Sequence, residues 1–95
     1  MILAEEAFSI SIPVPHYEAN DVVTDKDIRF EIYREHNRFR AIPMIQKEEL
    51  LTTGLPEELK FVFVSPCISS ANDMGEETLN VIKQIILELE EREFL

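Results

Sequence analysis

Between residues 7 and 14 the chain alternates, with Phe8, Ile10, Ile12 and Val14 on one side and Ala7, Ser9, Ser11 and Pro13 on the other. A period of two predicts a strand with one buried face. Pro13 and Pro15 assign that strand to a sheet edge, or mark its end, because proline has no N–H to give to an inner ladder. Residues 16–27 are polar and rich in turn formers, with Asn20-Asp21 and Thr24-Asp25-Lys26-Asp27, and are expected to form a loop around Val22 and Val23.

Residues 28–45 alternate again, and here the register can be tested. A turn at His36-Asn37 suits residues that tolerate positive φ. It sets Glu35 opposite Arg38, Arg34 opposite Phe39, Ile32 opposite Ala41, Phe30 opposite Pro43 and Ile28 opposite Ile45. One face of the hairpin then becomes almost wholly apolar. The other pairs Tyr33 with Arg40, Glu31 with Ile42 and Arg29 with Met44. A slip of one residue scatters both sets, so the pattern selects this register.

Gln46–Thr53 reads as a short helix, stopped by Gly54 at the C′ position and by Pro56. Residues 60–65 read as a strand with Phe61 and Phe63 on one side and Val62 and Val64 on the other. Being apolar on both sides, it is expected in the middle of the sheet or under cover on both faces. Pro66 ends it. Asp73 and Glu76 have capping-box spacing with Asp73 as the cap. A helix follows to about Arg92, with Leu79, Ile82, Ile86 and Leu89 along one stripe, widened by Val81 and Ile85.

The expected architecture is a single α+β domain over residues 1–95. It has an antiparallel sheet of about four strands, a short helix before the last strand and a long C-terminal amphipathic helix packed on one face. The chain's 95 residues suit one domain, and no repeat or low-complexity segment divides them.

Charge changes the picture from fold to surface. The net charge is −10, yet residues 28–45 carry four arginines against two glutamates, a local +2 that leaves −12 on the rest of the chain. So acidic a surface repels a phosphate backbone and anionic lipid, which argues against nucleic-acid and membrane partners. Cys67 is the only cysteine, so no internal disulfide can form, and the usage suits a reducing, cytoplasmic setting. The first residues, Met1-Ile2-Leu3-Ala4-Glu5-Glu6, lack a basic n-region and are not read as a signal peptide. No run of apolar residues is long enough to span a bilayer.

Candidate chemistry is sparse. With only Gly54 and Gly75, neither a P-loop nor a dinucleotide fingerprint can be written on the chain. His16, His36 and Cys67 are too dispersed to read as a zinc set. Asp21, Asp25 and Asp27 lack the pattern of an EF-hand loop and read as a solvated acidic loop. Cys67 follows a strand end, where a nucleophile could stand, but flanked by Val64 and Ile68 it reads first as a small buried hydrophobe. No catalytic, metal-ligating or cofactor-binding residue is assigned, and the chain is read as a non-enzymatic protein.

Two surfaces suggest binding. The polar face of the hairpin offers Tyr33, Arg38 and Arg40 beside Ile42 and Met44, a mixture that can stack on, pair with and bury a protein segment. Glu31 and Glu35 are expected to neutralise part of it across the strands, and the short helix or the first strand could cover its apolar part. At the other end, Glu88, Glu90, Glu91 and Glu93 crowd the last helical turns, where the helix dipole disfavours negative charge, while Phe94-Leu95 are expected to fray. The reading is a small acidic protein-interaction domain whose partner is another protein or a second copy of itself, engaged through the 28–45 hairpin. The alternatives are an acidic module that sequesters a basic partner, as a chaperone or nucleic-acid mimic, and a small enzyme or ligand binder built around Cys67.

Overall fold

The computed structural model describes residues 6–17 and 23–95. Five strands form one antiparallel sheet in the order of the chain: β1 (Glu6–Tyr17), β2 (Val23–Glu35), β3 (Arg38–Pro43), β4 (Leu59–Val64) and β5 (Cys67–Ala71). Helix α1 (Lys47–Leu51) joins β3 to β4, and α2 (Glu76–Glu91) closes the chain. The class is α+β as expected. The sheet has five strands rather than four, and the short helix precedes the fourth.

The hairpin register is the one the alternation requires, with Glu35 opposite Arg38, Tyr33 opposite Arg40 and Phe30 opposite Pro43. His36 takes the left-handed conformation at φ 56°. β1 is an edge strand, and it runs three residues past Val14. Pro15, His16 and Tyr17 pair with Asp25, Thr24 and Val23, so most of the loop expected over 16–27 is a two-stranded ribbon. Asp25, Lys26 and Asp27 are poor strand formers, and they are held extended by main-chain bonds to a neighbour already in place. The part of the expected loop at residues 18–22, with Val22 and Asp21, lies outside the described residues.

Alternation puts Ile10, Ile12 and Val14 of β1, Ile28, Phe30 and Ile32 of β2, Phe39 and Ala41 of β3, and Leu59, Phe61 and Phe63 of β4 in one buried cluster. Val81, Ile82, Ile85, Ile86 and Leu89 of α2 complete it, with Leu50 of α1. Each such side chain contributes roughly 1.5–3 kcal/mol on leaving water. Leu79, placed on this stripe by the sequence pattern, is only half-buried, and Thr78 is buried instead. The helix starts at Glu76 with Gly75 as its N-cap. Asp73 is therefore not the cap; its carboxylate accepts the Gly75 N–H at 2.7 Å, one step before the helix.

The C-terminus does not fray. Glu93 is left-handed at φ 60°, and the N–H groups of Glu93 and Phe94 donate to Glu90 and Leu89 at 3.1 and 2.9 Å. That pair of bonds is a Schellman motif built on glutamate where glycine is usual. It turns Phe94 back onto Phe8, with ring centroids 4.2 Å apart, and brings the Phe94 carbonyl to the Arg34 guanidinium. Arg92 bonds Glu88 at 3.4 Å and reaches the Ser9 carbonyl, so one of the acids crowding the helix end is answered.

Two outcomes follow. Phe30→Ala, at the centre of the core, should cost about 3–5 kcal/mol in urea denaturation. Glu93→Gly should gain about 0.5–1 kcal/mol in the same assay, because glycine enters the left-handed region without a Cβ clash.

Candidate binding face

The second face of the sheet has no helix on it among the described residues. α1 does not cover it. Leu50 joins the core on the α2 side, Leu51 is exposed, and the Thr52 carbonyl accepts the Tyr17 N–H at 3.0 Å, which ties the helix to the far end of β1. The internal cover expected from the short helix is absent for this reason. β4 lies inside the sheet between β3 and β5, one of the two placements its pattern allowed, and it is covered on one face only, with Val62 half-buried and Val64 exposed.

Two adjacent rows of cross-strand neighbours build the face. The first runs Glu35, Arg38, Val62, Ser70 across β2, β3, β4 and β5. The second runs Tyr33, Arg40, Lys60 across β2, β3 and β4 and ends at Asn72, whose N–H donates to the Lys60 carbonyl at 2.9 Å. Facing side chains in such rows are about 4.5–5.5 Å apart at Cβ, and successive rows about 7 Å apart. Together they line a shallow concavity of about 490 Å³. Val62 forms its floor. Arg38, Arg40 and Lys60 set its charge, with Glu35 the one carboxylate in the lining.

The side chains are held in place. The Arg40 guanidinium lies 4.9 Å over the Tyr33 ring and reaches Glu58 at 3.4 Å. The Tyr33 hydroxyl donates to Glu31. The Asn72 side chain accepts the Lys60 N–H at 2.8 Å and donates to the Glu58 carbonyl at 2.9 Å, which fixes the rim beside β5. Arg40 thus meets an acid from outside the hairpin, Glu58 at 3.4 Å. Arg38 and Lys60 have no carboxylate partner among the described residues.

Of the residues singled out in the sequence, Tyr33, Arg38 and Arg40 come together in the concavity. Ile42 and Met44 share the face but lie farther along β3, outside it. Ile42 faces Glu31, and the Met44 N–H bonds Arg29 at 2.8 Å. Lys60, Ser70 and Asn72 join the site from β4 and β5. Lys60 could have been found from the outward parity of its strand, whereas Ser70 and Asn72 depend on β5, which carries no strand signal of its own.

The other candidate chemistry stays dispersed. His16 is buried near the end of β1 with Nδ1 3.0 Å from the Val14 carbonyl. His36 is in the hairpin turn, and Cys67 opens β5. Cys67 is exposed, not the small buried hydrophobe expected. No three His, Cys, Asp or Glu side chains gather into a metal-binding group among the described residues. No helix among them is long and apolar enough to cross a membrane. No protein family, curated protein or solved structure matches this chain.

Asn72→Ala removes two side-chain bonds to the β4 approach and should cost about 1–2 kcal/mol. It should also broaden the Lys60 and Glu58 amide resonances in NMR while leaving those of α2 unchanged.

Proposed function

We propose that this protein is a non-enzymatic protein-interaction domain, and that its uncovered sheet face receives an extended acidic segment of another protein. One observation supports the reading above all: Arg38, Arg40 and Lys60 converge around Val62 and Tyr33 on an open face, in a chain of net charge −10. Arginine, tyrosine and aliphatic side chains are the residue types that anchor protein interfaces. At physiological salt the Debye length is about 8 Å, so a ligand in the groove feels these three cations, offset in part by Glu35 and Glu58, more than the distant acids of α2. Val62, with Ile42 and Met44 beyond the groove, supplies burial, and the cations set the orientation of the bound carboxylates.

A second copy fits this face less well. The acids at the end of α2 lie on the opposite side of the sheet. Docking them onto the basic face would be head-to-tail, and such a contact propagates unless its rotation closes a ring. The cellular setting proposed is the cytoplasm, where an exposed free thiol such as Cys67 stays reduced. The overall negative charge makes nucleic acid and anionic membranes poor partners.

Fluorescence anisotropy would test the reading with labelled decapeptides that alternate acidic and apolar residues, set against basic counterparts of equal apolar content. The acidic set should bind and the basic set should not. Arg38→Glu and Lys60→Glu should each weaken binding about tenfold or more, which is about 1.4 kcal/mol. Equal binding of both sets, or no effect of either substitution, would overturn the reading. Self-association abolished by Arg40→Glu with Met44→Asp, in a protein that still melts cooperatively, would instead make a second copy the occupant of the face.

A further inference from the structure

The two edges of the sheet are protected very differently. On β1, alternate residues turn their main-chain groups away from β2, and the outward set is Ala7, Ser9, Ser11, Pro13, Pro15 and Tyr17. The Tyr17 N–H is taken by Thr52, and the Ser9 carbonyl is approached by Arg92 at 3.4 Å. Pro13 and Pro15 have no N–H to offer. Two of this edge's outward main-chain groups are thus bonded within the chain and two of its positions are prolines, which blunts it.

β5 lacks those devices among the described residues and relies on its shortness, five residues, and on the register shift of its ladder to β4 at Val62/Phe63. Cys67-Ile68-Ser69-Ser70-Ala71 contains no proline and no charge, and it lies within an uncharged run from Phe61 to Asn72. The Asn72 N–H bonds Lys60 across the β4–β5 ladder, so by alternation the main chain of Ala71 points outward. No strand pairs with that side of β5 among the described residues. Between β5 and α2 runs an open groove of about 590 Å³, lined mainly by apolar side chains such as Phe63, Ile68, Met74 and Leu87, with Lys83 and Glu90 of opposite charge also in the lining. Met74 is 60% and Leu87 53% exposed at its mouth.

We infer that β5 is a homodimer edge: two copies pair β5 with β5 antiparallel about a two-fold axis and join their sheets into one of ten strands. The occupant is a second copy for three reasons. An antiparallel edge is self-complementary, so the same free groups on both strands satisfy one another. The second copy also brings its own half-buried Ile68 and exposed Met74 to the groove that their counterparts line. Finally, on a chain of charge −10 this edge is uncharged from Phe61 to Asn72, so two copies that meet there set no like charges of β5 against one another. Pairing β5 with β1 would extend without limit, whereas β5 with β5 closes after two copies. The basic groove abuts β5 through Ser70 and Asn72, so the dimer would present two such grooves on one continuous face. The inference stands on the edge alone and does not depend on what the basic face binds.

Light scattering coupled to size exclusion tests it on the whole chain. The wild type should have the mass of two chains in both 0.1 and about 1 M NaCl, since the contact is apolar and main-chain rather than ionic. Ala71→Pro, which removes an outward N–H from an edge strand, should weaken the dimer about tenfold or more. Met74→Glu, at an exposed position with no part in the core, should do the same while still melting cooperatively. Arg40→Glu with Met44→Asp should leave the dimer intact. A wild type that is monomeric at all concentrations would overturn the inference, and so would a dimer unaffected by both Ala71→Pro and Met74→Glu.

Discussion

The pairing of β2 with β3 about His36-Asn37 is the constraint on which the rest of the molecule depends. Because side chains alternate with a period of two, this single register decides what every neighbouring strand can show to each face. It turns Phe30, Ile32, Phe39 and Ala41 toward α2 and leaves Tyr33, Arg38, Arg40 and Ile42 on the other side. β4 inherits the choice through Phe39 opposite Phe61, and β5 through Phe61 opposite Ala71. A one-residue slip would place arginines under the helix and phenylalanines in water.

Coverage of one face is the second half of the account. The described residues form one long helix, and its buried residues are used on the Phe30 side. The short helix is used at the end of β1, where Thr52 takes the Tyr17 N–H. Nothing among the described elements remains to cover Val62 and Ile42. An antiparallel sheet tolerates one solvated face, but that face is ordinarily polar, and here aliphatic side chains stand among cations. The same economy leaves β5 with an open edge above an apolar groove. Both features arise from a sheet wider than its single long helix can cover.

Much of this was legible from residue spacing, and the parts that were not share a physical cause. β1, the hairpin and α2 declare themselves through long periodic runs whose pattern matches their burial. β5 is five residues with one large aliphatic side chain, Ile68, and its extended form is imposed by the ladder to β4. The first half of β2 is polar for the same reason. The apolar character of Val62 and Val64 allowed either an inner strand or one covered on both faces, and only the first holds, because composition alone does not separate buried from uncovered apolar surface. On the proposed binding face, Tyr33, Arg38 and Arg40 could be placed side by side from the hairpin pattern. Lys60, Ser70 and Asn72 needed the strand order, which no local pattern contains. The Schellman turn at Glu93 was hidden by the absence of glycine there.

The most direct test of the central claim, that the uncovered face is the binding surface, is a ¹⁵N-resolved NMR titration of the wild-type chain with an acidic, apolar-alternating peptide. The account predicts shift changes concentrated on Tyr33, Arg38, Arg40, Lys60, Val62 and Ser70, with the α2 amides unmoved. Changes centred on α2 or on the β1 edge, with these six unaffected, would contradict it.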